Sequence, residues 1–132
     1  MAREITTTGS KKVKTLMKEF NENFPYLRLR IYSYEANNQE RGSALTRYRV
    51  DIEKKLSEVR TKKGTGKMSF TGSKNISTIE KDFDEIFGLV VEICYSPTED
   101  QNFYTHGSQN KKSLTAFNRE CENSGYIKGK WL

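Results

Sequence analysis

FTGSKNISTIEKDFDEIF, residues 70–87, reads as an altered copy of TTGSKKVKTLMKEFNENF, residues 7–24. At a constant offset of 63, Thr8, Gly9, Ser10, Lys11, Thr15, Lys18, Phe20, Glu22 and Phe24 recur as Thr71, Gly72, Ser73, Lys74, Thr78, Lys81, Phe83, Glu85 and Phe87. Val13/Ile76, Leu16/Ile79 and Glu19/Asp82 are conservative partners. So many matches in one ungapped window point to an internal duplication.

Each copy has a physical pattern. Val13, Leu16, Phe20 and Phe24 recur in steps of three and four, as do Ile76, Ile79, Phe83 and Phe87, which places one apolar stripe on a helix over 13–24 and again over 76–87. Thr15, Thr78 or the Ser77/Glu80 pair are expected to cap the starts, Gly88 to close the second helix and Pro25 to stop the first. After each helix comes an alternating strand: Leu27, Leu29 and Ile31 with Arg28 and Arg30 between them, then Leu89, Val91 and Ile93 with Val90, Glu92 and Cys94. Residues 4–8 and 67–71 read as short strands before the helices. The expectation is therefore an α+β chain of two βαβ units in a ferredoxin-like, split-βαβ sandwich. Four strands would share one sheet, helices would cover one face, and further helices would follow each unit.

The further helices are read from SALTRYRVDIEKKLSEVRTKKG and SLTAFNRECENSG. Leu45, Tyr48, Ile52, Leu56 and Val59 fall at helical spacing, with Ser43 as cap and Gly64 as stop, so a helix over 43–61 is expected. Its rival is a strand in which Tyr48, Val50 and Ile52 alternate with Arg47, Arg49 and Asp51. Leu114, Phe117 and Cys121 mark the shorter helix, at 113–123. Polar residues 97–112 read as a loop or mobile segment. A single domain of residues 1–132 follows, with copy one at about 2–62 and copy two at about 66–125.

Composition bounds the function. The chain is 34% apolar and 30% charged, and no apolar run approaches the roughly 20 residues of a membrane span. No membrane partner, secretory h-region or disulfide framework is expected, and the location expected is cytoplasmic. The net charge of +6 is uneven: residues 1–63 carry +7 and residues 64–132 carry −1. Such asymmetry marks a candidate surface for nucleic acid or an acidic partner. Its residues are Lys11, Lys12, Lys14, Arg28, Arg30, Tyr32, Arg47, Arg49, Lys62 and Lys63, where cations are interleaved with rings as in single-strand binders. No aromatic-rich RNP1-like segment accompanies them. Val90 and Cys94 would lie on the face of the sheet away from the helices. Their apolar character predicts a cover there, supplied by residues 43–61 and 113–123 or by a second protomer.

Two phosphate readings differ in weight. GTGKM, residues 64–68, fails the G-x-x-x-x-G-K-[ST] loop, because Met68 follows Lys67 and Thr61 stands where the first glycine belongs. TGSK does lie between a strand and a helix, twice, so Ser10 with Lys11 and Ser73 with Lys74 form candidate anion sites. Their simpler role is a turn whose serine satisfies backbone donors. Catalysis has less support. His106 is the single histidine, Cys94 and Cys121 read as small half-buried hydrophobes, and the acidic residues Glu80, Asp82, Asp84 and Glu85 spread around one helix. The sequence implies no metal, cofactor or small-molecule ligand. It reads as a non-catalytic interaction module that binds a protein partner or itself, with single-stranded RNA or DNA binding through the basic first half as the alternative.

Overall fold

A computed structural model describes residues 4–38, 47–62 and 66–132. The first segment forms β1 (Ile5–Thr7), α1 (Val13–Asn23) and β2 (Arg28–Tyr32); the third forms β3 (Met68–Phe70), α3 (Ile76–Phe87) and β4 (Val90–Tyr95). Between them the described residues hold a 3-10 turn, Tyr34–Asn38, and one turn of α-helix, α2 (Leu56–Val59); after them come β5 (Phe103–Tyr104) and α4 (Leu114–Asn123). The apolar stripes behave as their spacing dictates. Val13, Leu16, Met17 and Phe20 of α1 are buried, as are Ile76, Ile79, Phe83 and Phe87 of α3.

The strands form two small antiparallel sheets, not the single sheet expected. β1 pairs with β3, placing Thr6 opposite Ser69, and β2, β4 and β5 form the second sheet in that order. The strands of one βαβ segment therefore lie in different sheets, so the right-handed crossover rule has no application here. Side-chain alternation explains the arrangement. Ile5, Thr7, Met68 and Phe70 point inward while Thr6 and Ser69 face solvent, and the Phe70 ring lies 6.4 Å from that of Phe20. α1 touches β1 and β2, and α3 touches β3 and β4, so the helices join the two sheets. Each fully buried Phe or Leu of this layer is worth roughly 1.5–3 kcal/mol.

The helix over 43–61 is corrected. Residues 39–46 and 63–65, including the expected cap Ser43 and stop Gly64, lie outside the described residues. Within the rest, only Leu56–Val59 is α-helical. Arg49 instead bridges to Tyr32, and Ser33 N–H donates to the Tyr48 carbonyl (2.8 Å) while Val50 N–H donates to that of Ile31 (3.2 Å). The reason is a demand from α1, whose first N–H groups have no intrahelical acceptor. Val13 N–H donates to the Lys54 carbonyl and Lys14 N–H to that of Ile52, both at 2.9 Å. Residues 52–54 cap α1 and so cannot also continue a helix.

The exchange is reciprocal, because Leu56 N–H donates to the Lys11 carbonyl (2.9 Å) and Ser57 N–H to that of Gly9 (2.9 Å). The same exchange recurs at the start of α3: Ile76 donates to Lys112 (3.0 Å), Leu114 to Lys74 (3.2 Å) and Thr115 to Gly72 (3.0 Å). The helices consequently begin after Lys12 and Asn75, and Thr15, Ser77 and Thr78 are not the caps. At the far ends Gly88 takes the left-handed conformation (φ 65°) and α1 stops before Phe24 and Pro25, as expected. Residues 97–112 are more than a loop, since they hold β5 and a 3-10 turn, Gly107–Lys111.

Candidate functional site

On β2, Arg28, Arg30 and Tyr32 share one face, and the register sets them opposite Cys94, Glu92 and Val90 of β4. This face is not open. Tyr32, Val90 and Ala36 are buried together against Tyr48, so the chain beyond β2 folds back over it. The cover anticipated from residues 113–123 lies elsewhere, because Leu114, Phe117 and Cys121 join the main core.

The three side chains of β2 have different fates. Arg28 is buried, and its guanidinium donates to Ser96 Oγ (2.9 Å), to Asn102 Oδ1 and to the Leu132 carbonyl (3.4 Å), while its Nε has no partner. Burial first, and then the positive charge of Arg30, lowers its pKa, with Arg49 adding to the effect and Cys94 opposing it. Tyr32 is buried and donates its hydroxyl to Glu92 Oε1 (2.9 Å); burial and the Glu92 carboxylate push the phenol up to about 12. Arg30 is half-exposed, on the strand at the edge of its sheet.

That edge holds the site. Beside β2, Arg30 and Arg49 line a crevice of about 100 Å³ with Met17, Ile31, Val50, Ile52 and Leu132. Among the described residues no carboxylate side chain lines it. Its floor is apolar because α1 contributes Met17, β2 contributes Ile31, and the segment that caps α1 contributes Val50 and Ile52. Two arginines beside apolar side chains suit a ligand that joins negative charge to a hydrocarbon group.

The other basic candidates are dispersed. Lys11 pairs with Glu19 (2.9 Å) and reaches the Thr6 carbonyl; Lys74 pairs with Asp82 (2.9 Å) and reaches that of Ser69 (3.4 Å). Ser10 and Ser73 exchange hydrogen bonds with Thr8 (3.0 Å) and Thr71 (2.8 Å). In both TGSK turns the lysine and serine are thus engaged locally, and the helix N-terminus beside them donates to the neighbouring segment. Lys14 pairs with Glu53 (3.0 Å), Lys12 is exposed at the bridge to Lys55, and Arg47 stacks over Tyr48 with 5.0 Å to the ring centre. Lys62 donates to the Glu85 carbonyl (3.1 Å) near the C-terminal end of α3, and Lys63 lies outside the described residues. The structure therefore brings Arg28, Arg30, Tyr32 and Arg49 together and leaves the lysines apart. Met17, Val50 and Ile52 are site residues that the basic pattern missed. The alternation of Arg47, Arg49 and Asp51 with Tyr48, Val50 and Ile52 carried the signal.

Among the described residues, groups with reactive chemistry are not assembled around this site. Cys94 and Cys121 are buried thiols, each pushed up to about 12 by desolvation. His106 is exposed, with its ring against Tyr104 at 5.8 Å. Among the described residues no three His, Cys, Asp or Glu side chains gather as metal ligands, and no helix is long and apolar enough to cross a membrane. No protein-family model, curated protein or solved structure matches the chain.

Proposed function

We propose that the chain is a non-catalytic interaction module that holds an acidic protein partner at the arginine-rimmed edge of β2. One observation carries this reading: Arg30 and Arg49, from different segments, line one crevice over an apolar floor, with no carboxylate side chain among its described lining residues. Arginine beside apolar side chains is the composition of energetic centres in protein interfaces. Self-association loses the feature that motivated it, since Val90 and Cys94 are already buried within the chain. A duplicated unit is part of the same reading. Its support is the sequence recurrence, together with the matching exchanges Val13/Lys54 with Leu56/Lys11 and Ile76/Lys112 with Leu114/Lys74.

Single-stranded nucleic acid is the second reading, favoured by the exposed Tyr34, whose chain neighbour Ser33 is hydrogen-bonded to Tyr48 in the arginine-bearing segment 47–49. Fluorescence anisotropy separates the two. A labelled peptide of alternating Glu and Leu should bind at low salt and lose affinity in the Arg30→Gln/Arg49→Gln double variant. Mixed-sequence single-stranded RNA and DNA should bind more weakly. If nucleic acid is the partner, the double variant should flatten the salt slope by roughly 1.4, about 0.7 for each phosphate that an arginine neutralises. Failure of both probes to bind at low salt would sink the interaction reading.

A further inference from the structure

The crevice is closed along the strand edge on both sides. Beyond Arg30 the edge is occupied by residues 48–50, hydrogen-bonded to Ile31 and Ser33. On the other side lies Leu132, whose carbonyl accepts from Arg28. An extended chain therefore has no free run of edge to pair with at this point. The remaining space is about 100 Å³, somewhat less than an apolar cavity of about 150 Å³ that takes one benzene. It suits a ligand whose enclosed part has only a few heavy atoms.

The polar groups narrow the ligand further. Arg30 and Arg49 line the crevice, and the carboxylate facing Arg30 across the sheet, Glu92, is buried and accepts the Tyr32 hydroxyl. Met17, Ile31, Val50 and Ile52 have side chains that offer no partner to a hydroxyl or amide. A sugar or a bare inorganic anion would leave polar groups against this floor. A carboxylate on a short branched hydrocarbon places charge at the rim and methyl groups inside.

We propose that the crevice binds a small free carboxylate with a short branched aliphatic group, a chemical class represented by 3-methylbutanoate. This goes beyond the interaction reading, because it gives the site a small ligand that would compete with a partner's side chain. Planar guanidinium groups match carboxylates through paired N–H donors. The hydrocarbon should contribute at least about tenfold in affinity over acetate.

The test is titration of the ¹⁵N-labelled full chain with 3-methylbutanoate, acetate, 3-methylbutanamide and inorganic phosphate, in the absence of any macromolecule. The expected result is saturable shifts at residues 30–31 and 49–52 with 3-methylbutanoate, at least about tenfold weaker binding of acetate, and no saturation with the amide. Arg49→Gln, a change at an exposed position, should weaken binding about tenfold while leaving shifts elsewhere unchanged. Ile52→Ser should weaken the branched acid but not acetate. Equal affinity for acid and amide would overturn the proposal, as would saturation by phosphate instead of the acid, or no saturation by any probe. If the Glu/Leu peptide binds and the acid does not, this inference alone fails; if the acid binds and the peptide does not, the partner reading alone fails.

Discussion

Gly9 and Gly72 occupy the same place in the two TGSK turns, yet alanine should be tolerated at one and not at the other. Neither has a positive φ, so backbone strain does not decide the outcome. Space does. A Cβ on Gly9 would lie 3.2 Å from Ser57 Cβ, with its next neighbour at 3.8 Å, a contact that a few tenths of an ångström relieves. On Gly72 it would overlap Thr115 Oγ1 and press on Phe24 Cε1 (3.1 Å) and Thr115 Cβ (3.2 Å). Gly→Ala at a compatible site gains about 0.4–1 kcal/mol through the unfolded chain, whereas overpacking costs about 1–3 kcal/mol. Gly9→Ala should therefore change stability by under about 0.5 kcal/mol, the relief of one contact offsetting the entropic gain. Gly72→Ala should cost about 2 kcal/mol, a fall in Tm of about 7 °C at the usual unfolding entropy per residue. Thr115→Ala removes the worst overlap at an exposed helix position, where the change itself is worth within about 0.5 kcal/mol. The Gly72→Ala/Thr115→Ala double variant should thus recover at least about half of the loss, with Phe24 and the retained Cβ at position 115 accounting for the remainder. Urea and thermal unfolding followed by circular dichroism read all four variants. Equal costs at Gly9 and Gly72, or no recovery in the double variant, would refute the view that close approach of α4 fixes the glycine at position 72.

Three further outcomes follow from the polar groups. Tyr32→Phe leaves the buried Glu92 without its hydroxyl donor, so it should cost about 2 kcal/mol and lower the Tm by about 7 °C. Tyr32, Cys94 and Cys121 all titrate near 12 when folded, against 10.0 for the phenol and 9.0 for the thiols when free. The unfolded chain therefore loses these protons first: their contribution is complete below pH 9 and is lost as pH rises towards 12, which urea unfolding at increasing pH should show as falling stability. Lys11→Gln and Lys74→Gln break partly exposed ion pairs, and each should cost under about 1 kcal/mol in the same assay, with no change in the affinity for inorganic phosphate.

The parts of the fold governed by local periodicity were legible. Both long helices lie where the recurrent stripe put them, and Gly88 closes α3 as the left-handed conformation requires. Strand partners were not legible, because a three-residue strand such as Ile5–Thr7 carries one outward side chain and no record of its neighbour. The segment 43–61 misled for a related reason. Leu56 and Val59 fit a helix with Tyr48 and Ile52, but Val50 and Ile52 fit a strand equally well. The competition was resolved outside the segment, by the open N–H groups of Val13 and Lys14, for which Lys54 and Ile52 supply carbonyls. A helix over those residues would have used the same carbonyls internally.

The arginines show why a site is harder to read than an element. Arg28 and Arg30 are two residues apart on one strand and project from the same face, so the pattern treats them alike. Their roles diverge through chain that arrives from far along the sequence. Ser96 and Asn102 close over Arg28 from the β4–β5 connection, and Leu132 completes its cover, which turns a surface cation into a buried donor. Arg30 meets Arg49 instead, beside a floor built by the capping of α1. The hydrogen bonds that fix the start of that helix thus also build the crevice: without the Lys54 and Ile52 carbonyls held at 2.9 Å, Ile52 would not be held beside Met17. Fold and candidate site share a cause here, and a substitution that weakens the α1 cap should loosen the crevice before it unfolds the core.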